Sequence, residues 1–174
     1  MHNGPLGAHG NQVLGLAGGE VGTKFTAAFE TKNYRDGLIC LNVKEIKATF
    51  FAHPKVHIAS NFKRGTCEYV NVLKHEEKHV RVLKKTHKEF MPKYKKHLRV
   101  TAKKLPILEP MSLKDANSKK QIFVTHIQKD LSAYMQKIMQ EVEIRQKEVD
   151  SAEEYERVLN QCRKWDQRLA EEPK

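Results

Sequence analysis

The apolar pattern of this chain changes its period once, across residues 60 to 66, and that change constrains the fold more than any other feature. Before it, the segments "TKFTAAFET" (23–31) and "LICLNVKEIKATFF" (38–51) are rich in β-branched and aromatic residues. They read as two strands joined by a turn at Asp36-Gly37. His53-Pro54 is expected to stop the second. A short third strand follows in "KVHIAS" (55–60), where Val56 and Ile58 alternate with His57 and Ala59.

After the loop "NFKRGT" the period is helical. Tyr69, Leu73, Val80 and Leu83 recur at three- and four-residue spacings, with Thr66 as N-cap and Glu68 in the first turn, where the helix dipole favours an acid. The pattern runs to Phe90, and Pro92 is expected to kink or end it. "LPILEPMSLKDANS" reads as a linker. Ser118 is expected to cap a helix over 119–149, in which Ile127, Leu131, Tyr134, Ile138 and Val142 share a face. Asp150-Ser151 breaks it, and a last helix is expected over 153–169. Strands first and helices after predict an α+β fold: a small antiparallel or mixed sheet followed by long helices. The expected organisation is a flexible Gly-rich lead-in (1–22), one domain (23–169) and a short tail (170–174).

The long helix carries "HEEKH". His75 and His79 stand one turn apart on one face, so two imidazoles can address one ion. Glu76, the next residue round the helix, lies beside the position a water would take, where a carboxylate can accept its proton. The candidate metal ligands are thus His75 and His79, the candidate general base is Glu76, and the implied metal is zinc. Two ligands do not complete a catalytic zinc site, which needs three. His87 lies about 12 Å further along the helix axis than His79 and cannot reach the same ion.

Around this motif the chain resembles the zincin metallopeptidases. The residues that carry the resemblance are 56–60, as a strand ahead of the active-site helix, and 69–83 with His75, Glu76 and His79. More loosely, "VHIASNFKRGTCEYVNVLKHEEKHV" followed by "VDSAEEYERVLNQCRKW" is similar to small bacterial proteins described as exported zinc proteases. The resemblance implies a peptidase acting on a peptide or protein, in an exported or periplasmic setting, with a cytoplasmic one left open. Gluzincins take their third ligand as a glutamate from a later helix. That implies Glu154, with Glu153 as its rival, and Tyr155 and Arg157 as stabilisers of an oxyanion. The competing account of "EEYER" is an ordinary helix start, whose acids suit the dipole. The chain departs from the usual pattern in the charged Lys74, Glu77 and Lys78, the last expected on the solvent face. It also lacks the metzincin continuation, since Val82 and Lys85 stand where Gly and His would be.

Charge gives the rival reading. The net charge is +11, and it is uneven: 7 basic and 10 acidic residues in 141–174 leave +14 on 1–140. A run from Lys84 to Lys104, interleaved with Phe90 and Tyr94, suits an anionic surface or wall polymer, or simply a solvated helix face. Nucleic acid is the weaker reading, because no nucleic-acid-binding motif accompanies the lysines. No apolar run reaches the ~18–20 residues of a membrane span. Of three cysteines, Cys67 and Cys162 either pair, closing a loop worth roughly 4–5 kcal/mol, or all three are thiols of a reducing cytoplasm.

Overall fold

Asp36 and Gly37 both take positive φ, 56° and 74°, which lets the chain reverse within five residues. Tyr34 N–H donates to Leu38 C=O at 2.8 Å across this turn. It joins β1 (Gly15–Asn33) to β2 (Ile39–Ile58), an antiparallel two-stranded sheet. Three helices follow: α1 (Cys67–Lys103), α2 (Leu113–Val149) and α3 (Ala152–Asn160). The fold is α+β. The computed structural model describes residues 14–165 together with 167 and 170.

Several boundaries differ from the sequence reading. Part of the expected lead-in is strand: β1 begins at Gly15, while residues 1–13 lie outside the described residues. His53-Pro54 does not end β2, so residues 55–60 form no separate third strand. In a two-stranded sheet each strand keeps an open edge, and a proline there removes no ladder bond. Gly19 of β1, at φ 124°, lets β1 lie close against this stretch, since a Cβ on it would stand 2.1 Å from the His53 carbonyl oxygen. Pro92 does not end α1 either. It lies on the exposed face, where water can bond the carbonyl it leaves unpaired. α2 starts at Leu113, so Ser118 is no cap: its hydroxyl donates back to Asp115 C=O, and Ser112 accepts from Asp115 N–H instead. α3 stops at Asn160. Of the expected continuation to 169, residues 166, 168 and 169 lie outside the described residues, as do residues 171–174 of the tail.

The chain divides into two compact units, and both strands and both long helices contribute to each. Of the described residues, one comprises those up to Val21, Ala52–His87 and those from Gln140 on. Its core is Phe62, Val72, Val158, Cys162 and Trp165, with the Phe62 and Trp165 rings edge to face at 5.6 Å. A disulfide joins Cys67 at the start of α1 to Cys162 after α3, and Asn71 Nδ2 donates to Cys67 C=O and to Cys162 Sγ beside it. The other unit comprises Gly22–Phe51 and Lys88–Met139. It buries Ile39, Leu41, Met111, Ala116 and Phe123 together, and Ile39 pairs with Met111 as a bridge outside the sheet. Its α-helical segments also meet through polar groups: Asp130 accepts from the Thr101 hydroxyl and lies 2.8 Å from His97 Nε2, while the His97 ring stacks on Tyr134 at 4.1 Å.

Candidate metal centre

Thr66 caps α1 as the sequence predicts, accepting from Tyr69 N–H at 3.3 Å. The helix then carries His75, Glu76 and His79 within the first unit, and the first two are buried. The end of α2 and the start of α3 supply the opposing side chains. Gln146, Asp150 and Glu154 follow one another at four-residue spacing, matching the spacing of the two histidines. Ser151 interrupts the helix between them and caps α3 by accepting from Glu154 N–H at 3.2 Å.

His75 Nε2, His79 Nε2 and Asp150 Oδ1 converge. The nitrogens are 3.2 Å apart, and the oxygen lies 3.4 Å from one and 3.0 Å from the other. The two other ring nitrogens are held from behind. His79 Nδ1 is 2.5 Å from Gln146 Oε1, and Gln146 Nε2 donates to His79 C=O, which fixes which end of the amide faces the ring. His75 Nδ1 is 3.3 Å from Glu154 Oε1. Where both Nδ1 atoms donate, each Nε2 is turned toward the other and toward a carboxylate oxygen. Three acceptors at these separations repel unless a proton or a metal ion sits among them. Tetrahedral ligands about 2.0–2.1 Å from one ion stand about 3.3 Å apart, and the three observed edges bracket that value. His75, His79 and Asp150 are a group able to hold a metal ion.

A proton and a metal ion compete for this place. Burial disfavours the charged His79 ring, yet hydrogen bonds to Asp150 and Gln146 outweigh it and raise its pKa. Burial likewise pushes Asp150 up, but the two imidazoles and the Tyr155 hydroxyl hold its carboxyl far below the usual range. Burial raises the pKa of Glu76 despite the two histidines and a backbone hydrogen bond from Ala17, all of which pull it down. A carboxylate so raised is a better proton acceptor.

Asp150, and not the expected Glu154, joins the two histidines in the group that could hold an ion. Glu154 lies behind His75, where it accepts from Arg157 Nε and Nη2, both at 2.8 Å, and from Lys78. Lys78 is thus drawn to Glu154 and does not extend into solvent as expected. Glu153, the alternative, is exposed. Tyr155 is at the centre: its hydroxyl donates to Asp150 Oδ1 at 3.1 Å and its ring lies 5.5 Å from that of His75. Burial and the neighbouring Asp150 raise its pKa, keeping it a donor. Arg157 turns to Glu154 and away from the three converging atoms. In the sequence a helix-breaking "DS" reads as punctuation and hides Asp150 and Gln146; the signal that points to them is the four-residue spacing Gln146–Asp150–Glu154.

The first residues of β1 bound the other side. A Cβ on Gly15 would stand 2.6 Å from Glu76 Oε1 and 2.7 Å from Val72 Cγ1. Only glycine lets the strand lie this close to the carboxylate. Comparison of the chain with protein-family models, with curated proteins and with solved structures finds no match in any of the three.

Proposed function

We propose that the protein is a zinc-dependent hydrolase, a peptidase of the zincin type. The observation that carries this reading is the convergence of two imidazole nitrogens and a carboxylate oxygen at tetrahedral-edge distances, with an H-E-x-x-H carboxylate alongside. Two nitrogens and one oxygen suit zinc, and three protein ligands are the number a catalytic zinc keeps. Glu154 behind His75 and Gln146 behind His79 are the outer partners that orient metal-binding histidines.

Zinc bound there supplies a Lewis acid and acidifies a coordinated water. Glu76 takes the proton of the attacking water and delivers it to the leaving amine. Its raised pKa suits both transfers. Tyr155, kept protonated, donates to the developing oxyanion once substrate draws its hydroxyl from Asp150. Arg157 and Lys78 hold Glu154 and act through it. The "HEEKH" resemblance supports a peptide or protein substrate. The Cys67–Cys162 disulfide supports an oxidising, exported or periplasmic setting.

The test is metal content and peptide hydrolysis of wild type, His75→Ala and Glu76→Gln. Near one zinc per chain, lost in His75→Ala, is expected. Glu76→Gln is expected to keep the zinc and lose hydrolysis. Zinc bound without hydrolysis in wild type would reduce the protein to a metal-binding one, and wild type without zinc would end the reading.

A further inference from the structure

The net charge of +11 is almost entirely in one unit. The segments Gly22–Phe51 and Lys88–Met139 hold 17 Lys and Arg against 7 Asp and Glu, a net of +10; the unit that carries the metal centre holds 15 against 14, a net of +1. Within the basic unit the charge is ordered. Lys88, Lys95, Arg99 and Lys103 recur at spacings of seven, four and four on the exposed side of α1, with Lys96 beside them. They form a stripe about 22 Å long. Among the described residues none of the five is in an ion pair. Glu89, the acid on this stretch of helix, is taken up by Lys93 at 2.8 Å.

Apolar side chains accompany the stripe. Met91 and Val100 lie on its two flanks, each 38% exposed. Where α1 ends, the connection to α2 presents Ile107 at 99% exposure and Leu113 at 68%, with Lys103, Lys104 and Lys114 on either side of them in sequence. A fully hydrated isoleucine among lysines has no role in a core, and a soluble polyanion would make no use of it. An interface of headgroups and acyl chains uses both: lysines meet the phosphates and the apolar tip enters below them. No helix among the described residues is long and apolar enough to cross a membrane, so the contact is a surface one. The Cys67–Cys162 disulfide suits an oxidising compartment, where nucleic acid is scarce.

We infer that the Lys88–Lys103 stripe and the Ile107–Leu113 connection form a docking site for an anionic phospholipid surface. This does not rest on the metal reading and is testable with the metal removed. The experiment is flotation of the full chain with vesicles of phosphatidylcholine alone, or with about a third phosphatidylglycerol, at low and high salt. Binding is expected only to the anionic vesicles and is expected to fall with salt. Reversing Lys95, Lys96 and Arg99 to Glu, with folding checked by circular dichroism, is expected to weaken it by about 100-fold or more. Ile107→Ser, at a site that packs on nothing, is expected to weaken it several-fold without changing the salt dependence. Equal binding to neutral vesicles would overturn the proposal, as would no binding at low salt. So would an Ile107→Ser variant as good as wild type together with tighter binding to polyphosphate or single-stranded DNA, since the partner would then be a soluble polyanion.

Discussion

The Nε2 atoms of His75 and His79 face each other at 3.2 Å, and each ring is held in that pose by a different residue at its far nitrogen, Glu154 for one and Gln146 for the other. With Asp150 Oδ1 they form a group that could hold a metal ion.

On the proposed reading Asp150 completes the metal shell and Glu154 orients His75, so their variants separate. Asp150→Ala is expected to abolish zinc retention. Glu154→Gln is expected to retain zinc with affinity reduced about 10- to 100-fold. Competition with a chromophoric chelator measures both. Equal losses would mean that Glu154 binds the metal directly.

Gly15 tests the approach of β1 to Glu76. A methyl group there meets the Glu76 carboxylate and the buried Val72. Gly15→Ala is expected to lower hydrolysis by displacing the general base, with zinc content unchanged and stability reduced by about 1–3 kcal/mol. Unchanged turnover would show that Glu76 does not need its present position.

Acid should loosen the metal-free protein through Glu154. Its bonds to Arg157, then those to Lys78 and His75, outweigh burial and hold its pKa at about 2, against an ordinary 4.5. A folded-state pKa below the unfolded one gives stability that is present above about pH 4.5 and lost as pH falls through about 2. The loss is on the order of 2–3 kcal/mol. Urea titrations of metal-free wild type between pH 5 and 2 are expected to show it, and those of Glu154→Gln to be flatter by that amount.

The Cys67–Cys162 bridge spans a sequence separation of 95. Replacing both cysteines by Ser is expected to reduce stability by about 4–5 kcal/mol in the chain-entropy model. Denaturant unfolding checks this. A small change would mean that contacts such as Phe62 on Trp165 hold the ends together without the bond.

Sequence alone determined what depends on neighbours along the chain. The α+β order follows from a change of period, the Asp36–Gly37 reversal from two residues that accept positive φ, the start of α1 from the Thr66 cap, and the shared face of His75 and His79 from helical geometry. Tertiary structure decided what depends on residues brought together from afar. Pro54 and Pro92 are tolerated because of what their backbones face, which no propensity encodes. The break at Ser151 and the packing within the unit set Asp150 against the Nε2 side of the imidazoles and Glu154 against the Nδ1 side of His75. A one-dimensional pattern places a carboxylate on a helix or at its end, but which nitrogen it meets is fixed only when the helices pack.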